Sequence, residues 1–399
     1  MYRPVAAVRV SVWGRAVGAI APARERGVCA FEYDPTFLSS GIELSPLLMP
    51  LGPGTFSFGG LPRRAFLGLP PAFADALPDS FGNALVDAWM AREGVPRGAV
   101  TPLDRLAYTG RRAVGALCFE PERGPREAEP SALEMGRLVE AARRAVRGSF
   151  DPREDSLQQL LRIGTSAGGA QAKAVIGWNR ATDEFVSGQF DVPDGFEHWI
   201  LKFCPEEDPE AGRREYDVFR RARAAGIDMA DCALVRAAGL EHFATRRFDR
   251  DGNRRHHVQT LSALGPVPVG TGDYAQLFLC ADALGLGYGT REEIFRRMAF
   301  NVMIRNGDDH AKNFSFLLRE GGRWELAPAY DLTDTHFSDG PWSAWTDTHA
   351  LAVNGKTSGI ADADLLAVAD RFGVGTARDV LARVKDAVLS RSTKPASST

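Results

Sequence analysis

Three side chains of types suited to phosphoryl transfer lie close together in the sequence: Asp308, Asn313 and, eighteen residues further on, Asp331. In that reaction one carboxylate orients or deprotonates the attacking hydroxyl, while an amide and a second carboxylate hold Mg²⁺ on the phosphates of ATP. The pattern therefore predicts a site for ATP and Mg²⁺, in which Asp308 acts on the hydroxyl and Asn313 and Asp331 bind the metal.

The five-residue interval from Asp308 to Asn313 matches the D-x-x-x-x-N catalytic loop of protein kinases. The later carboxylate opens Asp331-Leu332-Thr333, where kinases have Asp-Phe-Gly. Asp309 is an alternative base, but its interval to the Asn is four. His310 lies between Asp308 and Asn313 and could contact phosphate or the base, or hold the loop through structural hydrogen bonds.

Two further features could complete an ATP site. The glycine-rich stretch 164–171 precedes a predicted short strand, 173–177, and its backbone N–H groups could cradle phosphate oxygens, although it is not a Walker A loop. Lys202 lies inside an apolar strand, Trp199–Phe203, and could bind the α- and β-phosphates. Glu215, on the next predicted helix, is a candidate ion-pair partner for this lysine.

Composition sets the class of protein. The 399 residues predict two or three domains, and a net charge of −3 gives no strong general attraction to nucleic acid or anionic membrane. Five scattered cysteines and the absence of an apolar leader or span predict a cytoplasmic protein with free thiols and no membrane partner. His256-His257 has no partner at a zinc-site interval, so a metal role there is not favoured.

The order of predicted elements is strand-rich at the front and helical at the back, which favours an α+β, bilobal, protein-kinase-like fold. We expect four regions: an N-terminal subdomain at 1–120, a nucleotide-binding part at 131–248, a mainly helical lobe with the catalytic and metal loops at 249–392, and a disordered tail at 393–399. Nucleotide is expected in the cleft between the lobes.

Several motifs together resemble the HipA family of serine/threonine kinase toxins from bacterial toxin–antitoxin systems. They are Leu77–Gly82, Ser166–Lys173, Arg247–Arg250, Asp308–Ser315 and Ala327–Asp331. The last two form the most specific pair, and the resemblance covers nearly the whole chain.

The resemblance implies that Asp308 is the catalytic base, that Asn313 and Asp331 hold Mg²⁺, and that Ser166 is an autophosphorylation site whose modification switches the kinase off. Its implied ATP contacts are Gly168, Gly169, Ala170, Gln171, Lys173, Lys202, Arg246, Arg247, Phe248, His310, Lys312, Asn313, Tyr330 and Asp331. Its implied partners are a HipB-like helix-turn-helix antitoxin, through which any DNA contact would pass, and an aminoacyl-tRNA synthetase as substrate, with glutamyl-tRNA synthetase first.

One residue of this sequence departs from the family pattern, and both the phosphoacceptor and the function have alternatives. Arg246 stands where the family often has Glu, so backbone contacts to adenine carry over better than side-chain ones. Thr165 beside Ser166 leaves the phosphoacceptor open. Three other functions remain: a catalytically silent co-repressor, a kinase of another substrate, and a hydrolase using Asp308, Asp309 and His310 as metal ligands. The hydrolase would leave Lys202 and Asn313 unexplained.

Overall fold

Alternating apolar residues from Val8 to Val12 form a strand that turns at Trp13-Gly14 and pairs with the next strand, as predicted. The computed structural model describes residues 2–25, 27–78, 80–125, 133–146, 172–335 and 348–390. The hairpin belongs to a five-stranded antiparallel sheet in the order β4-β3-β2-β1-β5. Its strands are β1 Val8–Val12, β2 Arg15–Pro22, β3 Cys29–Tyr33, β4 Thr55–Ser57 and β5 Leu117–Glu120.

The helices of this part of the chain pack either against this first sheet or against the second sheet described below. They are α1 Arg63–Phe66, α2 Pro71–Ala74, α3 Ser80–Arg92, α4 Pro102–Thr109 and α5 Met135–Val146. Just before β5, the guanidinium of Arg255 donates to the carbonyls of Ala113 and Gly115. Those carbonyls are therefore turned toward the arginine.

A second antiparallel sheet carries the strand lysine. Its strands are β6 Lys173–Asn179, β7 Glu184–Ser187, β8 Glu197–Lys202, β9 Cys232–Ala237 and β10 Leu240–Arg246, in the order β7-β6-β8-β10-β9. Between β8 and β9 runs α6, Ala211–Ala224, which packs on β9 and β10. Strand pairing sets Lys202 opposite both Lys173 and Phe243.

The rest of the chain is helical with an additional small sheet. The helices are α7 Leu261–Leu264, α8 Tyr274–Ala283, α9 Tyr288–Met303, α10 Asp362–Arg371 and α11 Ala377–Leu389. The remaining strands are a short pair, β11 Arg250–Asp251 and β12 Arg254–Arg255, and a three-stranded sheet of β13 His257–Thr260, β14 Ser315–Leu318 and β15 Trp324–Leu326. The expectation of a mainly helical third region missed this sheet, because β13 and β14 are far apart in sequence.

Among the residues that the structure describes, three buried apolar clusters connect the elements. One lies under the first sheet and includes Leu318 from β14, one joins α3 and α5 to the second sheet, and one fills the helical lobe and receives Val218 and Ala222 from α6. Each cluster thus contains side chains from more than one predicted region. The four predicted domain boundaries stay predictions.

Some expectations concern residues outside this description. The glycine-rich stretch 164–171 and the tail at 393–399 both lie there. All five cysteines fall within the described ranges and are free thiols. Within the described stretches of chain, no helix combines the length and apolar character needed to span a bilayer.

Candidate active site

Lys202 joins two carboxylates that come from different parts of the fold. Its Nζ contacts Oε1 of Glu215 on α6 and Oδ1 of Asp331 in the loop after β15. The lysine side chain is 9% exposed, so these contacts are shielded from water. The proposed pairing of Lys202 with Glu215 is present, and the later Asp of the sequence motif lies at the same ammonium group.

The charges at this centre stabilise one another. Burial disfavours the charged form of Lys202, but Asp331 and Glu215 outweigh it and raise the lysine pKa above its usual value. Burial also opposes ionisation of Asp331, yet Lys202 and Lys173 bring its pKa down to about 2. Lys173 is itself 5% exposed and lies across the strand pair from Lys202. Asp331 is therefore a carboxylate at neutral pH.

The catalytic loop is a tight turn closed by its own backbone. The amide Nδ2 of Asn313 donates to the carbonyl of Asp308 at 2.8 Å, and the 3₁₀ turn Ala311–Asn313 follows directly after His310. Oδ1 of Asp308 lies 3.6 Å from Nε2 of His310, and the Asp308 side chain is 57% exposed. Although this side chain is more than half exposed, the surrounding protein removes part of its hydration, which raises the pKa of Asp308; Asp331 adds to the effect, and His310 and Lys202 oppose it. This carboxylate is open to a substrate and lies within electrostatic range of Asp331.

Asp309, the alternative base, is placed differently. Its side chain is fully buried and accepts hydrogen bonds from the Tyr274 hydroxyl at 2.8 Å, from Nδ1 of His349 at 2.9 Å and from the backbone N–H of Ala350 at 2.8 Å. Both carboxylate oxygens are thus committed to hydrogen bonds within the protein. The geometry favours Asp308 over Asp309 as the group that meets a hydroxyl.

The loop that carries Asp331 is fixed from both sides. The Tyr330 hydroxyl donates to the Lys312 carbonyl at 2.6 Å and contacts Ser315 Oγ at the same distance. Arg297, on α9, donates to the Ala327 carbonyl at 2.9 Å. Asp331 itself has a φ of +55°, a left-handed conformation that few residues other than Gly adopt. Strain of this kind concentrates at functional sites when the surroundings hold it in place.

The donor set here fits Mg²⁺, which prefers oxygen ligands. Asp331 supplies an ionised carboxylate. Because Nδ2 of Asn313 is used by the Asp308 carbonyl, the carboxamide oxygen is the atom of that side chain suited to a metal. Asn313 and Asp331 would therefore be the protein ligands.

The segment after β10 contributes an aromatic wall and a buried ion cluster. The Phe248 and Tyr330 rings lie 5.3 Å apart between centroids. Arg246 pairs with Glu197 at 3.1 Å in a part-exposed position. The Arg247 guanidinium is instead held by both oxygens of Asp249, at 2.9 and 2.7 Å. An ATP contact at position 247 would therefore involve the backbone, since the side chain is already used.

The other candidate site residues either lie outside the described residues or make contacts that hold the fold. Ser166, Gly168, Gly169, Ala170 and Gln171 lie outside the described residues, as does Thr165. His257 Nε2 contacts the Leu44 carbonyl at 2.9 Å, and His256 Nε2 contacts Arg319 at 3.2 Å. Nowhere in the described ranges do three or more His, Cys, Asp or Glu side chains gather as a metal cluster would.

Sequence reasoning missed the residues that support the site from a distance. Tyr274, His349 and Arg297 hold the two loops through contacts described above, and Asp75 reaches the start of α7. Neither Tyr274 nor Arg297 stands out in the local sequence, because Tyr274 opens its helix and Arg297 follows Arg296 in a helix with several other charged residues.

Together, the strand-rich and helical lobes and the Lys202–Glu215–Asp331 contact define a protein-kinase-like fold. Residues 8–120 match the HipA N-terminal domain, and residues 165–392 match the HipA-like C-terminal domain. The chain therefore belongs to the HipA family.

Relatives and a solved structure agree with this placement. The chain is 29% identical over 168 residues to "Putative kinase Y4dM" of Sinorhizobium fredii, covering 38% of this chain and 40% of that protein. It is 26% identical over 191 residues to the serine/threonine-protein kinase toxin HipA of Shewanella oneidensis, covering 42% of each. The chain thus spans less than half the length of these curated relatives.

The fold likeness extends further than the sequence likeness. HipA solved with HipB and operator DNA from Shewanella oneidensis superimposes with a TM-score of 0.69, over 96% of this chain and 88% of that chain, at 19% identity. At that identity the match shows a shared fold.

Proposed function

We propose that this protein is an ATP- and Mg²⁺-dependent serine/threonine protein kinase. The observation that carries the proposal is the contact of Lys202 with both Glu215 and Asp331. In protein kinases a strand lysine pairs with a helix glutamate, and that pair and the metal-binding aspartate must both be in place for phosphoryl transfer. Membership of the HipA family and the kinase names of the relatives support the same conclusion.

Each described residue then has a role. Lys202 neutralises and positions the ATP phosphates, together with backbone N–H groups of the glycine-rich stretch. Asp308 accepts the proton of a Ser or Thr hydroxyl while the oxygen of that hydroxyl forms a bond to the γ-phosphorus. The bond between the γ-phosphorus and the β,γ-bridging oxygen breaks, and ADP leaves. Mg²⁺ held by Asn313 and Asp331 would supply charge neutralisation at the phosphates. Phe248 and Tyr330 would line the adenine side.

We further propose that the kinase is the toxin of a toxin–antitoxin pair, with a HipB-like helix-turn-helix antitoxin as its partner. The Shewanella HipA structure contains HipB and operator DNA, which supports a partner of this type. A net charge of −3 supports DNA contact through the antitoxin and not through this chain alone.

The proposed substrate is an aminoacyl-tRNA synthetase, glutamyl-tRNA synthetase first, whose phosphorylation would stop translation and arrest growth. We also propose inactivating autophosphorylation at Ser166, with Thr165 as the alternative acceptor. A phosphate dianion in the glycine-rich stretch would repel the ATP phosphates. In Ser166→Ala, mass spectrometry should find the main autophosphorylation lost; the same phosphate at Thr165 would contradict the assignment.

The test of the proposed function is transfer of label from γ-labelled ATP to the protein itself and to purified glutamyl-tRNA synthetase. Wild type should transfer label, and Asp308→Asn should lose about 10²-fold or more of the rate while keeping its fold. Label that appears only on another protein of a cell lysate would support a kinase of another substrate. A wild type that binds the antitoxin but transfers no label would overturn the proposal in favour of the co-repressor.

A further inference from the structure

Asp75, in the N-terminal part of the chain, reaches across to the catalytic lobe. It follows α2, and its two carboxylate oxygens accept hydrogen bonds from one residue of that lobe, Thr260. Oδ2 accepts the Thr260 N–H at 2.8 Å, and Oδ1 accepts the Thr260 hydroxyl at 2.9 Å. A carboxylate that takes two hydrogen bonds from one residue fixes that residue's orientation as well as its position.

Thr260 is in turn fastened to the end of the catalytic loop. It is the last residue of β13, and it pairs with Ser315, the first residue of β14. The next N–H, from Leu261, donates to the Phe314 carbonyl at 2.7 Å. The short helix that Leu261 opens packs on the catalytic turn Ala311–Asn313. Asp75 is therefore connected to that turn through two successive backbone links.

Charge provides a second, direct connection to the loop. Burial raises the pKa of Asp75, and the main influence against that shift is the positive charge of Lys312. The Lys312 carbonyl also accepts the Tyr330 hydroxyl at 2.6 Å, next to the metal-binding Asp331. A change at Asp75 would thus act on the loop residue that lies between His310 and Asn313.

We propose that Asp75 is a positioning residue for the catalytic loop, through which the N-terminal domain sets the placement of Lys312 and Asn313. The inference rests on the proposed kinase function for its effect on rate, although the placement of the loop can be tested without catalysis. Its consequence is that the catalytic lobe depends on the N-terminal domain for a fully formed site.

A contact elsewhere at the same boundary serves as the control. The indole Nε1 of Trp324 donates to the Glu43 carbonyl at 3.1 Å. Trp324→Phe removes this hydrogen bond between the N-terminal part and the small sheet but leaves Thr260 and the catalytic turn untouched. The Trp324→Phe variant therefore shows how the loss of another contact at this boundary affects the loop while Asp75 is intact.

Kinetics and amide hydrogen exchange together test the proposal. Asp75→Asn keeps the size of the side chain but loses the charge and one acceptor; we expect kcat to fall about tenfold with KM for ATP within about twofold. In Lys312→Met, adding Asp75→Asn should still lower kcat, but by less than the tenfold expected in the wild-type background, because the hydrogen bonds to Thr260 are still altered while the charge of Lys312 is already gone. The rate of hydrogen exchange at the backbone amides of residues 308–314 should rise in Asp75→Asn and stay at the wild-type value in Trp324→Phe.

The outcomes are distinguishable. Unchanged exchange at 308–314 in Asp75→Asn overturns the inference, as does an equal rise in Trp324→Phe. If Asp75→Asn does not fold, Thr260→Val, which removes only the hydroxyl donor, should show the same effects at smaller size, and unchanged exchange there overturns the inference too. An inactive wild type whose exchange responds to Asp75→Asn would overturn the kinase function and leave the positioning role supported.

Discussion

The ammonium group of Lys202 donates a hydrogen bond to Oδ1 of Asp331, a residue 129 positions later in the chain. The contact joins a strand of the second sheet to the loop after β15, so the two parts of the molecule that would hold ATP meet at one ion pair. Glu215 is the second carboxylate that contacts this ammonium group. This arrangement is the basis of the kinase proposal, and it has a measurable effect on stability.

Lys202→Met should destabilise the protein by about 3 kcal/mol, because Glu215 and Asp331 are left as neighbouring, largely buried carboxylates without their common cation. Urea unfolding at neutral pH measures the change. Glu215→Gln is the control: Lys202 keeps Asp331, and we expect a loss of about 1 kcal/mol. A Lys202→Met protein as stable as wild type would show that the lysine does not hold these carboxylates.

Asp308 and Asp309 should respond oppositely to the same isosteric change. Asp308→Asn alters an exposed side chain, so we expect the activity to be lost and the midpoint of thermal unfolding to stay unchanged. Asp309→Asn replaces a fully buried acceptor of three hydrogen bonds with a group that has one oxygen, and we expect about 2–4 kcal/mol of lost stability. Calorimetric unfolding of both variants decides. If Asp309→Asn were as stable as wild type and inactive, Asp309 would be the better candidate for the base.

Stability should fall in mild acid because of His257. Burial lowers the pKa of His257 to about 4, below the value near 6.5 of an unfolded histidine. As the pH falls from about 6.5 toward about 4, His257 binds a proton in the unfolded chain but not in the folded protein. Protonation therefore stabilises the unfolded chain, and the free energy of unfolding falls. The expected loss is about 2 kcal/mol between about pH 7 and about pH 5.

The matching variant is His257→Gln, which can still donate to the Leu44 carbonyl but does not titrate. Its unfolding free energy should change less over the same pH interval, by about the 2 kcal/mol assigned to the histidine. Urea unfolding of both proteins at the two pH values gives the difference directly. An identical pH dependence in the two proteins would mean that His257 is not the group responsible.

The ion cluster around Asp249 should be one of the most sensitive sites for stability. Its carboxylate binds Arg247, accepts from Arg250 at 2.6 Å and accepts from the Gly115 N–H at 2.8 Å; despite burial, the two arginines hold the pKa of Asp249 well below its usual range. Asp249→Asn leaves two buried guanidinium groups without their anion, and we expect a loss of about 3–5 kcal/mol in urea unfolding. Asp251→Asn, an equal charge change at an exposed position two residues on, should cost less than about 0.5 kcal/mol. Equal losses in the two variants would refute a special role for the cluster.

Much of the fold was predictable because the decisive patterns are local. The alternation at Val8–Val12 and the apolar spacing along Ala377–Leu389 gave a strand and a helix that the structure also has. Lys202 stood out because it interrupts an apolar strand, and the Asp308–Asn313 interval is set within six residues of chain. A helix following that strand also made Glu215 a natural partner for the lysine.

What escaped prediction depends on pairs that are distant in sequence. Asp75 and Thr260 are 185 residues apart, and Asp309 meets Ala350 across 41. Nothing in the residue types of His257–Thr260 or Ser315–Leu318 states that these segments pair with each other. The hydrogen bonds of the Arg247 guanidinium to Asp249 were also not predicted, and the ATP contact implied at Arg247 stays a prediction.

The proposed function requires Lys202, Asn313 and Asp331 to lie around one magnesium-bound nucleotide. Calorimetric titration of ATP into wild type and Asp331→Asn, each with and without Mg²⁺, tests it most directly. We predict that the wild-type protein binds ATP in the presence of Mg²⁺ and that its affinity for ATP falls about tenfold or more when the metal is removed. In Asp331→Asn the affinity for ATP should be the same with and without Mg²⁺. Equal ATP affinity in all four titrations, or no binding by wild type in Mg²⁺, would contradict the account.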